Sequence, residues 1–317
     1  MPNRLPVWLI PSAGQNIIST HIPPNGYCKN RQIEVLLGKN QKMRSLLYPI
    51  CLLLLLTSLQ ANAQTVTKKL KQSLELQMQK TDEDDMAGTR GASVAWHPVL
   101  KKYYAAFAGN TAYPLAVFDE KGKRLNDEDL ATMTDLRGLW YNTVTKQICG
   151  NGYDAFGWFT YQLDKNGIPT DVTDITDDMR QPNEQAVGTY NFTEKQVLFL
   201  GGSQVYKYNA KGIAVDSVVI HWGRKKADGP GEEEDPAFGH EDYNATSLIY
   251  TGIKGQELGF LNVAENQIEL YDIKTGYLIK LLTLPETATA ELSFNFAYAN
   301  GTYWLFNMEE RKWVGYK

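Results

Sequence analysis

The sequence predicts an all-β protein, a β-propeller of five four-stranded blades. Three observations carry the prediction. First, one short stretch recurs, as Phe118-Asp119-Glu120-Lys121-Gly122-Lys123, Leu163-Asp164-Lys165-Asn166-Gly167-Ile168 and Tyr208-Asn209-Ala210-Lys211-Gly212-Ile213. A fourth copy, Tyr271 to Tyr277, carries one extra residue. The leading apolar residues stand at 118, 163, 208 and 271, spacings of 45, 45 and 63, and a further 45 reaches Tyr316. A period near 45 built from strand-turn-strand units is the signature of propeller blades. Second, the segments around each copy are short strands bounded by Gly, Asn and Lys turns. Third, the last unit stops after three strands, while an unpaired strand-like segment stands near the start of the fold.

Length and processing come next in chain order. Met43-Arg44, the apolar run through Leu52–Leu56 and Ala61-Asn62-Ala63 read as the basic region, apolar region and small-x-small cleavage site of an export signal. The apolar run is shorter than the ~20 residues of a membrane span. Residues 1–42 form an upstream extension outside the fold, 43–63 the signal peptide and 64–317 the propeller, in the periplasm or secreted, with no membrane anchor after cleavage. Residues 1–63 hold six of the 32 Lys and Arg and one of the 36 Asp and Glu. Residues 64–317 therefore carry 26 bases against 35 acids, a net charge of −9. That balance argues against nucleic acid, whose phosphates need a basic footprint. Cys149 is the single cysteine of this part, so no internal disulfide forms; its apolar strand context marks a core thiol.

Thr65–Met78 alternates as a strand, although Leu70, Leu74 and Met78 also suit a helix. The first unit then runs through Ala92–Trp96, Tyr103–Gly109 and Leu115–Phe118. The second comprises Leu136–Tyr141, Gln147–Gly150, Trp158–Leu163 and a strand from Ile168. The third comprises Ala186–Asn191, Gln196–Gly201, Gln204–Tyr208 and Ile213–Ile220. The fourth comprises Ser247–Gly252, Glu257–Val263, Gln267–Ile273 and Tyr277–Leu284. The fifth has only Leu292–Ala299, Thr302–Asn307 and Lys312–Tyr316. Thr65–Met78 is therefore expected as its fourth strand, which closes the ring and removes an exposed sheet edge. Six blades, with one too degenerate to see, and a β-sandwich are the alternatives.

Ala95-Trp96-His97-Pro98-Val99-Leu100-Lys101-Lys102 resembles the small-aromatic-x-Pro-x-x-Lys-Lys hairpin of TolB-like propeller repeats. Over residues 92–317 the repeat architecture resembles TolB-like, YncE-like and NHL-type propellers. That resemblance implies a binding scaffold more often than an enzyme, and ligand binding on the face where outer strands connect to the next inner strand. Fold alone does not fix function.

The 63-residue spacing holds an 18-residue excess in Trp222–Tyr243 on that face, a lid, a partner-contacting arm or a surface insertion. Residues leading into the inner strands, Arg90, Arg137, Glu184, Asn244 and Glu291, are candidates for a central site. Tyr153, Asp154 and Trp158, in a Gly-flanked loop, and His240, in the insertion, complete the candidates. No zinc spacing, nucleophile elbow or phosphate loop occurs. The acidic loops suit Ca²⁺ in composition, yet they lack Asp-x-Asp-x-Asp-Gly spacing, so no cofactor is expected. The expected function is an exported, monomeric binding module that contacts a protein or peptide through this loop-rich face, with a small carbohydrate as another ligand class. The alternative is a propeller hydrolase or lyase acting on a carbohydrate or lactone.

Overall fold

The computed structural model describes residues 66–79, 90–109, 114–126, 134–226 and 240–317. The expected extension, the export signal and the middle of the 222–243 insertion lie outside the described residues. Two strands open the described chain, β1 (Val66–Lys69) and β2 (Gln72–Gln77). Blade 1 is β3 (Arg90–His97), β4 (Lys102–Ala108) and β5 (Ala116–Asp119), and the chain returns beside β5 with a single bridge from Phe118 to Arg124. Blade 2 is β6 (Leu136–Asn142), β7 (Gln147–Gly152), β8 (Trp158–Leu163) and β9 (Pro169–Thr176). Blade 3 is β10 (Thr189–Asn191), β11 (Gln196–Gly201), β12 (Gln204–Tyr208) and β13 (Ala214–Val219). Blade 4 is β14 (Ile249–Tyr250), β15 (Leu258–Asn262), β16 (Gln267–Tyr271) and β17 (Leu278–Thr283). Blade 5 is β18 (Phe296–Ala299), β19 (Thr302–Asn307) and β20 (Lys312–Tyr316). Each inner strand packs against the next, β3 on β6, β6 on β10, β10 on β14, β14 on β18, and β18 back on β3, so five blades close a ring.

The recurrent stretch is one turn made four times. In blades 1 to 3 the side-chain oxygen of Asp119, Asp164 or Asn209 accepts the backbone N–H groups two and four residues on. In blade 4 the extra residue moves the second acceptance by one place: Asp272 takes the N–H of Lys274 and Thr275. The glycine in each turn has φ between 68° and 82°, a conformation that only glycine adopts without strain. The period is legible because turn chemistry fixes both residues.

The core is divided rather than central. Five buried clusters lie one between each pair of neighbouring blades; Leu139 and Tyr104 meet between blades 1 and 2, and Trp158 and Phe199 between blades 2 and 3. Sheets packed face to face bury both faces, which explains why inner and middle strands read as unbroken apolar runs. Cys149 lies in this packing, 1 % exposed, and burial pushes its thiol up to about 11. It is a core residue, as expected.

The N-terminal segment closes the ring and does one thing more. β2 pairs antiparallel with β20 from Gln72–Tyr316 to Gln77–Lys312, the expected fourth strand of blade 5. The expected single strand is split, however. β1 instead pairs parallel with β17, adding a fifth strand to blade 4. Between the two, Leu70 is buried between blades 4 and 5. The segment thus clasps two blades.

His97 ends the inner strand of blade 1. It is 6 % exposed, its Nδ1 accepts the Leu100 N–H at 3.2 Å, and its ring lies 4.7 Å from that of Tyr141. Burial lowers its pKa below the usual 6.5. The unfolded chain then binds more protons than the folded one below about pH 6.5, so stability is full at neutral pH and falls with acid. His221, also lowered by burial, adds in the same direction. We expect the Tm to fall between pH 7 and pH 5, above the carboxylate range, and His97→Asn to flatten part of that slope. An unchanged slope in that variant would assign the acid sensitivity elsewhere.

Candidate functional site

The strands run as a meander, so the ring has two unlike faces. Connections between second and third strands, and between blades, lie on one side, here the loop face. The turn after each inner strand lies on the other, the turn face.

Each inner strand reaches the turn face with an aromatic residue: Trp96, Tyr141, Tyr190, Tyr250 and Tyr298. Their ladder partners, Tyr103, Ile148, Val197, Leu258 and Tyr303, all stand at the start of the second strand, so the five positions are equivalent. Each side chain leans on the preceding blade. The Tyr190 hydroxyl donates to Asn142 Oδ1 at 3.5 Å, and the Tyr250 hydroxyl reaches Thr193 Oγ1 at 2.9 Å. Together with Phe192 they line a cup of about 340 Å³ to which all five blades contribute. Its volume falls within the ~300–1,000 Å³ range of small-ligand sites.

The chemistry of the cup is narrow. No Asp, Glu, His, Lys, Arg or Cys lines it; its polar contribution comes from Thr143, Thr189, Asn300 and the tyrosine hydroxyls. Burial raises the pKa of Tyr141, Tyr190, Tyr250 and Tyr298 above the usual phenol value. These groups are therefore neutral hydroxyls at physiological pH. The cup offers aromatic faces and weak donors, with no side chain able to serve as a general base near neutrality.

Around the cup, the first turns of four successive blades carry apolar side chains into solvent. Val99 is 71 %, Val144 59 %, Phe192 47 % and Ile253 44 % exposed. Phe192 is held edge-on to Tyr250 at 5.2 Å and lies over Gly252, where a Cβ would stand 2.1 Å from its ring. The exposed ring is therefore propped in place by the neighbouring blade.

The loop face is built differently, and most of the sequence candidates are found there. Phe294, in the connection to blade 5, packs with Ala92, Leu136 and Val187 of blades 1 to 3 and so reaches across the mouth of the channel. The guanidinium groups of Arg90 and Arg137 lie 6.0 and 5.6 Å from its ring centre. Arg137 is buried, ion-paired to Asp135, hydrogen-bonded to Gln185 Oε1 at 3.0 Å, and lies 4.7 Å from the Tyr153 ring centre. Asn244, fully buried, donates to the backbone oxygens of Glu291 at 2.8 Å and Phe294 at 2.7 Å, and accepts the Ser247 N–H at 2.8 Å. Phe294 and Asn295 have φ of 52° and 58°, left-handed values that non-glycine residues hold only when their surroundings impose them.

Arg137, Tyr153, Asn244 and the Glu291 backbone therefore do converge, but around Phe294. They form a plug. Glu184 and Asp154 are exposed on separate turns, and Gln181 Nε2 donates to the backbone oxygens of Gly152 and Glu184. Trp158 is core, 1 % exposed and packed edge-to-face with Trp140 at 5.9 Å, so it does not reach the face. His240 lines a separate hollow of about 100 Å³ with Trp222 and Tyr243. The insertion base is fixed, since Trp222 Nε1 donates to Ser203 Oγ at 2.9 Å and the Gly223 N–H to the Tyr271 hydroxyl at 2.9 Å. Among the described residues no group of three or more His, Cys, Asp and Glu could hold a metal ion.

Fold and site together define a five-bladed β-propeller with a plugged loop face and an aromatic cup on the turn face. No protein-family model matches the sequence, and no curated protein sequence does. The chain is similar in structure to the glutaminyl cyclase of Myxococcus xanthus, at 10 % identity over 80 % of this chain and 98 % of that one, with a TM-score of 0.49. It is also similar to virginiamycin B lyase of Staphylococcus aureus, at 13 % identity over 78 % and 99 % of the two chains, with a TM-score of 0.44. A protein of unknown function from Bacteroides thetaiotaomicron matches at 12 % identity over 72 % and 59 %, with a TM-score of 0.43. Likeness at these identities concerns architecture alone.

Proposed function

We propose that this chain is an exported binding module that engages a protein or peptide through the turn face, with an apolar or aromatic side chain of the partner seated in the five-blade cup. The observation that carries the reading is the ring of equivalent aromatics, one per blade, inside a rim of exposed Val99, Val144, Phe192 and Ile253. Contiguous apolar exposure with an aromatic centre and a polar surround suits macromolecular contact. The export half rests on the 43–63 pattern. The hydrolase or lyase reading needs titratable groups converging on open space. In the cup the only titratable groups are tyrosine hydroxyls held neutral by burial, and on the loop face Arg137 is occupied by Asp135.

The test is selection of a random peptide display library on the full chain, followed by two matched variants. Phe192→Ala, half-exposed on the turn face, should weaken the selected peptides by about ten-fold or more, the usual loss for an aromatic anchor. Phe156→Ala, 52 % exposed on the loop face, should leave affinity unchanged. The reverse result, or a library without binders, would overturn the proposal.

A further inference from the structure

A second hollow adjoins the cup. It has a volume of about 270 Å³, lies between blades 4 and 5, and shares Tyr298 with the cup. Tyr298 borders both spaces, and its ring lies 5.0 Å from that of Tyr303, which lines the second hollow. The floor is apolar, made by Leu270 and Leu282. The rim carries three ammonium groups, Lys68, Lys280 and Lys317, and no carboxylate side chain.

Register shows why the lysines gather there. Lys280 pairs with Leu270 and lies two residues before Leu282, while Lys68 of β1 pairs with Leu282. Side chains paired across a ladder project from the same face, and residues two apart on a strand do likewise. Leu270 and Leu282 belong to the cluster between blades 4 and 5, so Lys68 and Lys280 project toward blade 5. Lys317 follows the last strand of blade 5, joined to the clasp through the Lys71 and Lys317 backbones at 2.9 Å. Among the described residues none of the three ammonium groups is ion-paired to Asp or Glu, whereas Lys207 and Lys312 are. On a fold that carries a net charge of −9 over residues 64–317, this is a local positive field over an apolar floor, continuous with an uncharged aromatic cup.

We infer that the partner is an acidic peptide segment, in which the side chain seated in the cup is followed or preceded within a few residues by Asp or Glu held at Lys68, Lys280 and Lys317. The inference rests on the cup reading above and adds charge selectivity to it. The occupant is set by complementarity: the cup repels no charge but solvates none, and the charged side chains that line the adjoining hollow are the three lysines. The clasp strand β1 supplies one of the three, so the strand that closes the fold also completes this subsite.

The experiment uses peptides selected on the full chain from the random display library. Acidic residues should be enriched beside an aromatic or large aliphatic residue. Replacing those acids by Asn or Gln should weaken binding about ten-fold and reduce its dependence on salt. Lys68→Gln with Lys280→Gln should cause a similar loss, because Lys68 is exposed and Lys280 half-buried at the rim, so neither exchange removes a side chain of the core. Lys68→Glu with Lys280→Glu should prefer a peptide whose acids are changed to Lys. Binders without acidic enrichment, indifferent to both lysine pairs, would overturn this inference while leaving the cup intact. Binders that ignore Phe192→Ala would overturn the cup reading itself.

Discussion

Removing residues 64–79 is expected to abolish cooperative folding. The segment contributes β2, which covers the edge of β20, and β1, which covers the edge of β17. It also buries Leu70, Leu76 and Met78 to 4 %, 0 % and 2 % exposure. At ~1.5–3 kcal/mol for each large apolar side chain, these three alone approach the ~5–15 kcal/mol by which a whole domain is stable. Two unpaired edges left behind would favour association between chains. Calorimetry or circular dichroism of the shortened chain should show no sharp transition, and a synthetic 64–79 peptide added in excess should restore one. A transition within a few degrees of the full chain would mean that the other interblade contacts hold the ring without its clasp.

Gly276→Ala is expected to be the most damaging of the turn glycine substitutions. Its φ is 68°, and a Cβ there would stand 1.8 Å from the Val219 backbone oxygen of the preceding blade. The Gly276 carbonyl also accepts the His221 N–H at 2.9 Å, so the turn cannot swing away without breaking that contact. Backbone strain of ~1–2 kcal/mol and a forced separation of two blades, at a further ~1–3 kcal/mol, should lower the Tm by roughly 10 °C in a domain of this size. Gly255→Ala is the matched control, with φ 76° and no heavy atom within 4 Å of the added carbon. It should show the strain alone, a shift of roughly 2–8 °C. Equal shifts for both would show that blade contact at Gly276 adds nothing.

The fold was legible because its repeat is chemical. An Asp or Asn whose side chain takes several backbone N–H groups, followed by a glycine with positive φ, tolerates few other residues, so the spacing of 45 survives in the letters. The clasp was legible by subtraction, since blade 5 lacks a strand and Thr65–Met78 alternates. Its division was not, because Lys68 and Gln72 carry no mark telling a parallel edge strand from an antiparallel one. The loop-face candidates were sought where inner strands begin. Arg137 and Asn244 do sit there, but burial turned them to holding Phe294, and side-chain direction cannot be read from a polar letter. The cup lies at the other end of those same strands. Its signal was present: Trp96, Tyr141, Tyr190, Tyr250 and Tyr298 each fall one or two residues ahead of the first turn of their blade. It was obscured because blade packing uses aromatics everywhere, and only the closed ring shows that these five face one space.

The clasp also sets an order of events in folding. Ser73 donates to the Gly315 carbonyl across 242 positions of sequence. During synthesis, blades 1 to 4 can form from local hairpins as they emerge, but β2 has no partner until the last strand is made. Closure must then wait for a search between distant ends, a step slow relative to the microsecond hairpins that precede it. The ring therefore works as a length gauge. A chain cut short before Tyr316, or lacking β2, keeps an open edge that proteases and chaperones can recognise, and pairing of β2 with β20 withdraws it.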